Sequence, residues 1–208
     1  ARCDLMLTEL LISQQEFSKA LDVCGRVFAE LPADAPPLLL KRGLLAMGWT
    51  HYALGALPVS RALAREAEDP SSGPSDPSTA VEVGLLASLL DARRGHAASA
   101  RLRLRTTLDL IGRENVFVDP QGELVNVADL AMVLQRPDVA GCLLDDLERF
   151  EQVAGQQLRP WVRARSSALG TTARPDARIR ALSEPSGRAL VSAAIGVLAS
   201  APGDSPGL

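Results

Sequence analysis

Residues 44–69, LLAMGWTHYALGALPVSRALAREAED, decide the fold. The stretch reads as two amphipathic helices joined at Gly55, with small residues at Gly48 and Ser60 where the two helices cross. The same pattern returns forty residues earlier and later. Aligning Thr8, Gly48, Ser88 and Ala128 in one column brings Leu5, Leu45, Leu85 and Val125 into a second and Ala20, Ser60, Ala100 and Ala140 into a third. Gln15, Gly55, Gly95 and Gln135 then meet at the turn. One helical hairpin cannot bury its apolar face alone, so four copies at constant spacing predict a stacked repeat. The two small columns let facing helix axes approach closely.

Composition agrees with helices. The chain has 208 residues, 47% hydrophobic but only 3% aromatic, so its core is built from Leu, Val and Ala, which suit close helix packing better than a sheet. A net charge of -3 gives no global attraction to nucleic acid or anionic lipid. Cys3, Cys24 and Cys142 form no CxxC pair and have no neighbouring His cluster, which argues against zinc and predicts reduced thiols in a cytoplasmic protein. No cofactor is expected. No run of eighteen apolar residues occurs, so no membrane partner is expected either. The chain opens on Ala1 inside a helical pattern, which reads as a piece of something longer.

Along the chain, hairpins are predicted over residues 2–31, 38–68, 79–111 and 123–154. DPSSGPSDPS (69–78) reads as a solvated loop and NVFVDPQG (115–122) as an extended connection. Residues 1–154 are thus a four-hairpin array. Residues 155–200 supply capping helices of the same domain, at about 157–169, with Trp161 on the apolar side, and 186–200. Residues 201–208 form a disordered tail.

With these columns in place, the chain resembles tetratricopeptide-like repeats at a period longer than usual. The small residue of helix A, the turn glycine, the small residue of helix B and the following proline correspond to Gly48, Gly55, Ser60 and Pro70. Where that family favours an aromatic late in helix A, this sequence has Leu11, His51, Asp91 and Ala131. A more particular likeness covers residues 130–200, through Ala140, Leu143, Leu144, Ala168, Leu169, Gly170 and residues 187–190. This region is similar to the C-terminal repeats of large bacterial signal-transduction ATPases, including LuxR-type and AfsR-like transcriptional regulators. The resemblance implies a sensor or interaction platform. The family's ATPase motif GxxxxGK[ST] does not occur in this sequence.

The resemblance also implies a concave surface lined by helix A, which selects Arg2, Glu9, Arg42, Trp49, Tyr52, Glu82, Leu89 and Asp129. Of these, Arg42, Trp49, Tyr52, Glu9, Glu82 and Asp129 are the candidate ligand- or partner-binding residues. Trp49 and Tyr52 lie three residues apart on one helical face, with Arg42 two turns earlier. An aromatic pair beside a cation can grip an extended peptide or a flat ligand, or the two rings can fill the core between hairpins. His51 and His96 have no Asp or Ser at motif spacing, which leaves catalysis without a constellation. Asp145, Asp146, Glu148 and Glu151 lack calcium-loop spacing and read as a solvated face. Arg93, Arg94, Arg101, Arg103, Arg105 and Arg113 read as solvated helix charges without the interleaved aromatics of a nucleic-acid site.

The expectation is an all-α, tetratricopeptide-like superhelical solenoid of four helical hairpins plus C-terminal capping helices. It would act as a non-catalytic module that binds a protein, a peptide or a small effector. A nucleic-acid-binding helical repeat and a helical enzyme without a recognisable motif are the alternatives.

Overall fold

The computed structural model describes residues 2–32, 34–70, 73–114, 116, 120–154, 160–170 and 187–200. The side chains at 2, 3, 9, 13, 120, 150–154, 160, 161, 170 and 187–190 lie outside that description. The described residues are all-helical and contain no strand. Four hairpins run in order: α1 (Arg2–Ser13) with α2 (Phe17–Glu30), α3 (Pro37–Ala53) with α4 (Leu57–Glu68), α5 (Pro77–Arg93) with α6 (Ala97–Glu114), and α7 (Pro120–Val133) with α8 (Pro137–Ala154). Among the described residues two further helices follow, α9 (Pro160–Gly170) and α10 (Gly187–Ala199). The chain divides into two compact units, Ala1–Ala87 and Ser88–Leu208, with the boundary inside α5.

The forty-residue register is written into the backbone. Gln15, Gly55, Gly95 and Gln135 have φ of 63°, 76°, 80° and 60°, the left-handed conformation that ends a helix. At each turn the next amide reaches back five residues: Glu16 to the Leu11 carbonyl (2.9 Å), Ala56 to His51 (2.9 Å), His96 to Asp91 (3.0 Å) and Arg136 to Ala131 (2.8 Å). The left-handed residue itself donates to the carbonyl three residues back, on Ile12, Tyr52, Ala92 and Met132. All four turns are therefore Schellman motifs that satisfy carbonyls otherwise orphaned at the helix end. The second helix of each hairpin then opens with the same bond, from Ala20 to Glu16, Ser60 to Ala56, Ala100 to His96 and Ala140 to Arg136.

The side-chain columns follow. Thr8, Gly48, Ser88 and Ala128 are all buried, as are Ala20, Ser60, Ala100 and Ala140, and Leu5, Leu45, Leu85 and Val125. In the second hairpin the two small residues meet, because Ser60 Oγ donates to the Gly48 carbonyl at 2.8 Å. A Cβ on Gly48 would lie 2.9 Å from Leu86 Cδ2, so in the first unit the residue also admits α5. In the first hairpin the pair is Thr8 and Cys24, whose thiol donates to Thr8 Oγ1 at 3.5 Å. Burial, partly offset by that bond, pushes the Cys24 thiol above its ordinary value. Cys24 and Cys142 are buried; Cys3's side chain lies outside the described residues.

Several predicted boundaries need correction. The helix expected from Thr79 begins at Pro77, because Asp76 caps it: Oδ1 accepts the Thr79 amide at 3.1 Å and Oδ2 the Thr79 hydroxyl at 2.7 Å. Residues 120–122, read as part of an extended connection, are the first turn of α7. Proline suits the opening position because its missing N–H would be unsatisfied there anyway. Residues 115 and 117–119, 155–159, 171–186 and 201–208 lie outside the described residues, and with them the predicted tail.

The two C-terminal helices differ in what they pack against. In the second unit α9 packs on α7 and α8, but α10 lies against α6, α7 and α8 and so bridges the third and fourth hairpins. Val191, Ala194, Ile195, Leu198 and Ala199 form its buried stripe at helical spacing. Leu108 approaches Gly196, and Arg105 Nε of α6 donates to the Ala199 carbonyl at 3.1 Å, closing the C-terminal end of α10 with a cation.

Candidate functional site

Helix α3 carries the aromatic pair. It starts at Pro37, continues through LLLKRGLLAMGWTHYA and ends in the Gly55 turn, with a long apolar run buried along its length. Trp49 and Tyr52, one turn apart, pack edge to face with ring centroids 6.0 Å apart and planes at 82°. Such a contact contributes about 0.5–1.5 kcal/mol beyond burial alone. Tyr52 is 7% exposed and belongs to the core. Trp49 is only half-buried, so the buried ring holds an indole that still meets solvent. Arg42, seven residues before Trp49 and therefore on nearly the same face, is exposed. Its charge reaches Asp76. Burial raises that carboxyl's pKa most, but hydrogen bonds from Thr79 and attraction to Arg42 together hold it below the ordinary value.

The remaining predicted site residues do not join this group. Asp129 is 2% exposed. Arg93 of α5 donates to its Oδ1 at 2.8 Å, and Arg165 of α9 binds its Oδ2. The carboxylate that was expected on an open surface is instead a buried anchor for two arginines, because a charge taken from water survives only with partners. Leu89, another predicted lining residue, is core. Glu82 is half-buried on α5. The side chains of Glu9 and Arg2 lie outside the described residues.

The third-hairpin arginines also differ from the expected solvated stripe. Arg103 Nε donates to Asp91 Oδ2 at 2.9 Å, and Ser99 Oγ donates to the same oxygen at 2.8 Å. Arg93 holds Asp129, Arg105 holds the end of α10, and Arg113 returns to the Asp109 carbonyl of its own helix. Arg94 remains exposed and Arg101 half-buried. Three of the six thus tie helices together. Asp91 and Asp129 each interrupt an apolar run, LLASLLDA and LVNVADLA. That interruption is the sequence signal for a buried carboxylate needing a cation.

His51 is half-buried and His96 exposed, and both sit at turns, where His51 lends its carbonyl and His96 its amide to the helix-ending bonds. On α8, Asp145 and Asp146 are half-buried and Glu148 is exposed, while Glu151's side chain lies outside the described residues. Burial raises the Asp146 carboxyl, with Arg149 opposing. Among the described residues no group of three or more His, Cys, Asp or Glu is placed to hold a metal ion. No helix among them is long and apolar enough to cross a membrane. Compared with protein-family models, curated proteins and solved structures, the chain matches none.

Proposed function

We propose that the chain is a non-catalytic binding module that captures a peptide, a partner domain or a small effector on the helix-A side of its second hairpin. The half-exposed Trp49 carries this reading. It is braced edge-on by buried Tyr52 and shares a helix face with exposed Arg42. A braced aromatic beside an exposed cation loses little conformational entropy on binding and suits a ligand that pairs a flat or apolar group with a negative charge.

In this reading the hairpins stack as a tetratricopeptide-like solenoid. The likeness of residues 130–200 to bacterial regulator repeats supports a parent protein in transcriptional or signal-transduction control, in which binding biases a switching domain. Asp129, held by Arg93 and Arg165, serves this reading as a structural anchor and not as a contact residue. The nucleic-acid alternative loses support from the arginines that grip Asp91, Asp129 and the end of α10.

The test is a peptide-library selection against the full chain, followed by titration of the selected peptides against Arg42→Ala, Trp49→Ala and the double variant. Loss of binding by at least tenfold in each single variant, with unchanged far-ultraviolet circular dichroism, is the expected result. Peptides that bind the double variant as well as the parent chain would refute the site.

A further inference from the structure

The first helix leaves an apolar face in water. Met6 is 66% exposed, Leu7 41% and Leu10 52%, and their i, i+1, i+4 spacing places them on one side of α1. Three large apolar residues gathered on one helix face are unlike the scattered singles of an ordinary surface.

The forty-residue register says what this face is for. Met6, Leu7 and Leu10 correspond to Ala46, Met47 and Thr50 on α3. There Ala46 and Thr50 are buried and Met47 half-buried. Ala46 and Met47 show their cover. Ala46 lies in one cluster with Leu5, Val23, Cys24 and Val27, and Leu39 and Met47 pack against it. One turn earlier on α3, a Cβ on Gly43 would meet the Phe28 ring at 2.7 Å, which shows how closely α2 presses on this face. The ridge of the first hairpin therefore covers the leading face of the second, and α1 carries the equivalent face of the first.

We infer that the Met6–Leu7–Leu10 face is a docking surface for another helical hairpin of the same repeat type. Its occupant would present an aliphatic ridge equivalent to Val23, Cys24 and Val27. The surface continues an interface that the chain already uses between its first and second hairpins. It is separate from the Trp49 site, so loss of either leaves the other standing.

The experiment fuses a duplicate of residues 1–40 ahead of Ala1 in the full chain, which restores the forty-residue spacing. Amide hydrogen exchange then reads the protection of α1. The expected result is at least a tenfold slowing of α1 amides relative to a Gly/Ser spacer of equal length. The gain should vanish when the duplicate carries Val23→Glu and Val27→Glu. It should vanish again when the receiving helix carries Met6→Lys and Leu10→Lys, changes that exposed positions tolerate without unfolding the chain. Equal protection behind the duplicate, the charged duplicate and the spacer would overturn the inference. So would concentration-dependent dimerisation of the unfused chain that Met6→Lys abolishes, because the face would then belong to a second copy.

Discussion

Replacing the four left-handed turn residues should change stability with opposite signs. Gln15 and Gln135 hold φ of 63° and 60°, a conformation that costs a residue with a Cβ about 1–2 kcal/mol. Glycine removes that cost but adds about 0.4–1 kcal/mol of unfolded-state entropy to be lost on folding. The difference leaves Gln15→Gly and Gln135→Gly each about 0.5–1 kcal/mol more stable than the parent chain. Gly55→Ala and Gly95→Ala run the other way. A Cβ at either site meets nothing within 4 Å, so no steric contribution enters and the same two contributions act in reverse, a loss of about 0.5–1 kcal/mol each. Gly25 and Gly112 provide the control. They are exposed inside α2 and α6, and a Cβ there also meets nothing within 4 Å. Alanine at these two helical sites should stabilise by about 0.5–1 kcal/mol. Each unit holds one turn glutamine, one turn glycine and one control glycine, so urea titrations compare signs within a unit even if the units unfold separately. Stabilisation by Gly55→Ala or Gly95→Ala, matching the helix-interior controls, would refute the shared turn.

Removing the Asp129 carboxylate by Asp129→Ala should destabilise the second unit by about 3 kcal/mol, the low end for a broken buried pair because Arg93 keeps part of its hydration. Urea midpoints measure this loss, and Asp129→Asn should recover part of it. Asp76→Ala should cost about 1 kcal/mol at neutral pH through the lost cap. The folded carboxyl is held below its ordinary value of 3.8, so its contribution is full above that pH and fades as pH falls through the lower folded value. Parent and variant should therefore converge in stability as the pH falls below the folded carboxyl's lowered value, read by acid titration of the circular-dichroism signal. Ile195→Ala, in the fully buried stripe of α10, should cost about 2–5 kcal/mol in calorimetry and speed exchange of α6 amides.

The hairpins were legible because spacing fixes which residues share a place. Gly55 and Gly95 announce a turn by their chemistry, whereas Gln15 and Gln135 announce it only by falling forty residues either side of that pair. Leu11, His51, Asp91 and Ala131 break the aromatic habit of tetratricopeptide-like repeats, yet all four accept the turn's long-range amide bond through the carbonyl that every residue owns. Side-chain chemistry was less legible than backbone chemistry. Column position placed Asp129 on helix A, but its burial depends on two arginines, each 36 residues away. The apolar stripe of α10 could be read from its sequence, but the helices that receive it could not, since Ala, Leu and Val fit many grooves.

The bond between Arg105 and Ala199 spans 94 residues. During synthesis, α6 must leave the ribosome long before the partner that shields it. The parts of α6, α7 and α8 that α10 covers therefore stay bare until this last described helix has been made.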